Sequence, residues 1–119
     1  KNTTALLSNI IRYPDRISTC LEQRCGYTAE QFRNHIQSQF TSEMNWDNYG
    51  SVWEIDHIIP ISYFNYPDTN CRDFRICWSL MNLRPLNKHE NAQRCRDGRD
   101  ISEELKQQIL NQKFGDDIV

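Results

Sequence analysis

The sequence predicts an α+β domain: a helical layer, then a strand–loop–strand–helix unit, then a closing helix. Three observations carry this. Apolar residues recur at helical spacing up to about residue 43; Val52–Ile59 switches to β-prone residues and stops at Pro60; and Asn82-Leu83-Arg84-Pro85-Leu86 reads as a second short strand running straight into a polar helical stretch. The 119 residues fit one domain with one modest core. The expected division is about 1–43 for the helical layer, 50–98 for the middle unit and 100–114 for the closing helix.

Each element has its own signal. Leu6, Leu7, Ile10 and Ile11 form one helical face ended by Tyr13-Pro14. A second helix is expected over Asp15–Arg24, with Ile17 and Leu21 on one face and Gly26 just past its end. Thr28-Ala29-Glu30-Gln31 is a capping box opening a third helix, which carries Phe32, Ile36 and Phe40 as a core stripe. Met44–Gly50 is turn-rich. Residues 62–73 read as an irregular loop with Pro67, Asp68 and Asn70, and Phe74–Met81 as a short helix. Pro85 suits a sheet edge. A polar helix follows from Asn87 to Gly98, and a last helix spans Ser102–Lys113, with acids at its start and a lysine at its end to match the dipole.

Composition narrows the function classes. No apolar run approaches the ~18–20 residues of a membrane span, and Lys1-Asn2-Thr3-Thr4 opens no secretory signal. The chain opens on lysine rather than methionine, so either a trimmed start or an excised domain is expected. The net charge of −2 counts against nucleic-acid binding, since such domains are usually basic. The charge is unevenly spread, however. Arg72, Arg75, Arg84, Lys88, Arg94, Arg96 and Arg99 share one segment with only Asp73, Glu90 and Asp97, while acids gather at Glu103, Glu104, Asp116 and Asp117. A locally basic face is therefore available to a phosphate backbone. The five cysteines, Cys20, Cys25, Cys71, Cys77 and Cys95, are odd in number and lack a Cys-x-x-Cys pair. They read as thiols of a reducing, intracellular compartment rather than structural zinc ligands, with a Cys71–Cys77 disulfide as the alternative.

The chemistry-capable residues concentrate in the middle unit. Asp56 and His57 are adjacent; Asn82 opens the second strand; Asn91 follows nine residues later on the polar helix. Neighbours on a strand face opposite sides, so Asp56 and His57 can share a site only around a strand end. A neutral imidazole can take a proton from water near neutral pH. A carboxylate and an amide oxygen suit a hard divalent cation, and Asn82 can bond backbone across the hairpin or orient the imidazole.

Ile55-Asp56-His57-Ile58-Ile59-Pro60, then Asn82-Leu83-Arg84-Pro85-Leu86, then Glu90-Asn91 resembles the motif of the His-Asn-His endonucleases, the ββα-metal or His-Me finger family. The upstream stretches His35-Ile36-Gln37-Ser38-Gln39-Phe40 and Met44 to Trp53 also resemble a segment preceding the motif in phage and large-virus members, so the resemblance runs from about Gly26 to Arg96. It implies a ββα-metal core and a single divalent ion, Mg²⁺ with Mn²⁺ able to substitute. It implies His57 as general base, Asn82 as the residue that fixes loop and imidazole, and Asp56 and Asn91 as metal ligands. The expected activity is hydrolysis of phosphodiester bonds in double-stranded DNA, leaving 5′ phosphates, with a fused or bound targeting partner as a further expectation. The third station holds asparagine where the family name has histidine, a replacement many members carry. His89 competes for that role, but positions two apart on a helix point in different directions.

Arg84, Lys88, Arg94 and Arg96 are the expected nucleic-acid contacts. His35 is expected to pack, and Trp46, Tyr49 and Trp53 to form core around the hairpin, with base stacking as the alternative reading. The alternatives for the whole chain are a catalytically silent nucleic-acid-binding module on the same fold, an RNA-directed or non-specific toxin-type nuclease, and a protein-interaction domain with a structural Asp56–His57 pair.

Overall fold

Leu7, Ile10 and Ile11 lie on one side of helix α1 (Thr3–Arg12) and are buried together, as their spacing requires. The computed structural model describes residues 3–13, 23–65, 71–94 and 101–113. Most of the helix expected over Asp15–Arg24 lies outside them. Its end is described: Gln23 to Cys25 are helical, and Gly26 follows at φ +84, the left-handed geometry that glycine supplies after a helix. Helix α2 (Ala29–Gln37) opens on the expected capping box, Gln31 N donating to Thr28 Oγ1 at 3.0 Å and Thr28 N to Gln31 Oε1 at 2.8 Å. It ends three residues before Phe40, which nevertheless reaches the core edge-on to Trp46 and Trp53.

Strands β1 (Trp53–His57) and β2 (Leu83–Asn87) form a two-stranded antiparallel sheet in the register Trp53–Asn87, Glu54–Leu86, Ile55–Pro85, Asp56–Arg84 and His57–Leu83. Between them come a 3₁₀ turn (Ile61–Tyr63), helix α3 (Arg72–Cys77) and a second 3₁₀ turn (Leu80–Asn82). The single helix expected over Phe74–Met81 is thus broken in two: Ser79 Oγ and Ser79 N both bond Ile76 O, closing α3 early. Helix α4 (Lys88–Gln93) follows β2 without a loop and packs against both strands. Asn87 Oδ1 caps it, accepting from His89 N at 2.9 Å and Glu90 N at 3.3 Å. Helix α5 (Glu103–Leu110) is capped by Ser102 and plugs Ile109 against Ile58, Ile59 and Ile76. Thus the molecule is α+β, with helices around one small sheet. Among the described residues no helix is long and apolar enough to cross a membrane.

The main core joins α1, α2, β1, α3 and β2 through Leu7, Phe32, Ile36, Trp53, Phe74, Cys77, Trp78 and Leu83. Each large apolar side chain so buried contributes about 1.5–3 kcal/mol before chain entropy is counted. Trp46, Tyr49 and Phe40 ring Trp53 edge-on, so these aromatics are core around the hairpin. His35 packs as expected: its Nε2 lies 2.9 Å from Leu83 O, tying α2 to β2. Cys25 and Cys77 are free thiols. The Cys71–Cys77 disulfide is therefore corrected: the two residues stand at opposite ends of α3, Cys71 capping its start and Cys77 ending it. Burial pushes the Cys25 thiol up to about 11 and the Cys77 thiol up to about 12, which makes both poor nucleophiles. Cys20 and Cys95 lie outside the described residues.

Candidate active site

Alternation along β1 sorts its side chains into two sets. Trp53 and His57 face the aromatic core, the His57 ring standing edge-on to Trp78 at 4.4 Å between centroids. Glu54 and Asp56 face α4, Glu54 Oε1 accepting from Asn91 Nδ2 at 2.9 Å and Asp56 accepting from Arg94. The strand ends at His57, so the opposed neighbours Asp56 and His57 meet around its end. Together with Asn91, Arg94, Pro60, Ile61 and Ser62 they line one cleft of about 270 Å³.

Asn82 explains why the chain turns there. It is 0% exposed. Its backbone carbonyl accepts from Ile58 N at 2.8 Å, extending the ladder. Its Oδ1 accepts from Ile59 N at 2.7 Å, while Nδ2 donates to Ile59 O at 3.1 Å and Cys77 O at 2.9 Å. Both of the amide's hydrogens are spent on backbone and none of it reaches solvent, so Asn82 positions the segment after His57 and touches no reactant. Replacing Asn82 with leucine should leave Ile59 N and two carbonyls buried without partners, at about 1–3 kcal/mol for each such group. Urea unfolding should therefore show a loss of at least about 2 kcal/mol, whereas an exposed strand-end cap would lose less than about 0.5 kcal/mol.

The electrostatics of the cleft are set by Asp56, 3% exposed. Arg84 Nε donates to its Oδ2 at 2.9 Å, and Arg94 donates to the same oxygen. Arg94 also donates to His57 O at 2.8 Å and Ile58 O at 2.9 Å. With a side chain only 5% exposed, Arg94 faces inward rather than out to a phosphate backbone, which corrects the surface role expected for it. The same interactions account for the helix expected to Gly98 stopping at Gln93: Arg94 turns to extended backbone and sends its guanidinium beneath the strand end. Arg84 is a third exposed and Lys88 is exposed, its Nζ bonding Gly50 O at 3.1 Å. His89 is exposed on α4 and lines none of this cleft. Arg96 lies outside the described residues.

His57 Nε2 is buried without a hydrogen-bond partner. Burial pulls the imidazole down from 6.5 to about 4, with the Asp56 carboxylate opposing that shift and the Arg94 guanidinium adding to it. The ring is therefore neutral near pH 7, the form able to accept a proton. The unfolded chain takes up this proton near 6.5, the folded one only near 4. Between those values the unfolded state binds more protons, so the stability at stake is complete above about pH 6.5 and is lost as pH falls through about 4. Unfolding measured near neutrality and at about pH 5 should show a larger loss in the wild type than in His57→Ala; equal losses would contradict a neutral buried ring.

A divalent ion would find hard oxygen donors here. Among the described residues no three His, Cys, Asp or Glu side chains gather to hold a metal. The fit rests instead on one carboxylate, Asp56, and one amide, Asn91, facing the same cleft, a donor set that suits an ion retaining several waters. The two guanidiniums on Asp56 Oδ2 limit that fit to a carboxylate already half engaged.

No family model matches the chain, and no solved structure matches it. It is similar to an uncharacterized protein of Acanthamoeba polyphaga mimivirus, L426, at 39% identity over 66 residues, which is 56% of this chain and 28% of that protein. It is also similar to L246 of the same virus, at 31% identity over 70 residues, 59% of this chain and 29% of that protein. The chain thus spans less than a third of the length of these relatives.

Proposed function

We propose that this chain is a metal-dependent endonuclease domain of the His-Asn-His type that hydrolyses DNA phosphodiester bonds, built on a ββα-metal core of β1, β2 and α4. The observation that carries the reading is the meeting of Asp56, His57 and Asn91 in one cleft at the strand end, with the imidazole Nε2 buried and unpartnered. His57 Nε2 takes the proton of an attacking water. Asp56 and Asn91 would hold the cation, Mg²⁺ or Mn²⁺, which when bound neutralises charge on the phosphate and leaving oxygen. Asn82 keeps Ile59, and with it the end of β1, in register. Arg94 anchors the backbone of His57 and Ile58, and Arg84, held on Asp56, extends from the cleft toward the surface. Cleavage products carry the test of this chemistry: 5′ phosphate and 3′ hydroxyl ends are expected, and 3′ phosphate ends would contradict it.

One observation favours a second reading. Asp56 Oδ2 is taken by two arginines, as in an ion-pair anchor, which suits a nucleic-acid-binding module without catalysis. That module would bind DNA and show no metal-dependent turnover.

A further inference from the structure

His57 also lines a second, larger cleft on the α1 side, about 400 Å³, walled by Leu7, Ile55, Ile61 and Trp78. This volume lies in the ~300–1,000 Å³ range of small-molecule sites. Two cations approach one of its lining residues, Gly50: Arg12, which lines the cleft itself, and Lys88, which reaches it from outside. Arg12, exposed at the end of α1, lies over the Tyr49 ring at 5.4 Å, and its guanidinium is 3.8 Å from where a Gly50 Cβ would stand. Lys88, from the start of α4, bonds Gly50 O. Neither Arg12 nor Lys88 is one of the two cations paired with Asp56. Gly50 sits at φ +92, the left-handed conformation glycine adopts without strain. Glu54 also lines this cleft, its Oε1 accepting from Asn91 Nδ2, which links it to the Asp56 side.

We propose that the α1-side cleft is a nucleotide subsite for the DNA strand next to the scissile phosphate, with Arg12 and Lys88 on backbone phosphates and the adjoining base against the apolar wall and Glu54. The division follows from charge. A phosphate is repelled by the Glu54 carboxylate and attracted to the two cations at Gly50, whereas a base amino group can donate to a carboxylate, as cytosine N4 does to Glu or Asp. Arg12 stands far along the chain from the basic segment around residues 72–99, so only the fold brings it to His57. The proposal rests on the nuclease reading for the identity of the ligand, and its test needs no turnover.

Fluorescein-labelled oligo(dC) and oligo(dT) titrated with the wild-type chain in EDTA, over a range of salt, read it directly. Arg12→Ala and Lys88→Ala should each weaken binding of both oligomers and lower the magnitude of the slope of log K against log salt by about 0.7, the single-strand value per phosphate. Both residues are exposed, so thermal melting should be unchanged. The wild type should prefer oligo(dC), and Glu54→Gln should narrow the preference. No binding by the wild type, slopes unchanged in both variants, or equal affinity for the two oligomers would overturn the proposal. Metal-dependent cleavage with unchanged slopes would overturn the subsite and leave the nuclease standing; changed slopes without cleavage would do the reverse.

Discussion

Replacing His57 with alanine is expected to lower DNA cleavage by roughly 10²- to 10⁴-fold, the range a positioned general base contributes, while the protein still folds. The imidazole Nε2 has no hydrogen-bond partner to lose, and the ring's edge-on packing on Trp78 is worth on the order of 1 kcal/mol beyond area burial. The variant should therefore melt cooperatively and keep the wild-type circular dichroism. A His57→Ala protein that cuts at the wild-type rate would remove the base from the mechanism.

Arg94→Ala is expected to destabilise the protein by at least about 2 kcal/mol, because two backbone carbonyls beneath the strand end lose their donor at about 1–3 kcal/mol each. Asp56 would keep only Arg84, and the carbonyls of His57 and Ile58 would lose their donor. Arg94→Lys should recover only part of this, since one ammonium cannot span the carboxylate and both carbonyls as a planar guanidinium does. The midpoint of urea unfolding measures both variants. If Arg94 were a solvent-facing phosphate contact, Arg94→Ala would unfold within about 0.5 kcal/mol of the wild type.

This arginine also shows where reading the sequence reaches its limit. Periodicity and capping residues are local signals, and they were legible: the Thr28 capping box, the Phe32–Ile36 face, and the two strands each fell within a residue or two of their expected bounds. The grouping of Asp56, His57 and Asn91 was legible through motif spacing. What one residue in a basic run does was not, because Arg84, Lys88 and Arg94 look alike in sequence. Register decides among them: Arg84 sits opposite Asp56, Lys88 begins a helix at the surface, and Arg94 leaves the helix to fold beneath the strand end. Arg12 carried no signal at all, since its nearness to Gly50 depends on α1 packing against the Tyr49 turn, where Ser8 Oγ and Tyr49 OH meet at 2.8 Å. The break between α3 and the following 3₁₀ turn was equally hidden, because it is made by Ser79 and by Asn82 reaching back to Cys77 O.

Conversion of supercoiled plasmid by the purified chain in Mg²⁺ or Mn²⁺, with EDTA and His57→Ala as controls, tests the central claim most directly. Nicked or linear DNA that appears only with metal and only with His57 present is the predicted result. A well-folded wild-type chain that leaves the plasmid supercoiled in either metal, or cuts it equally in EDTA, would contradict it.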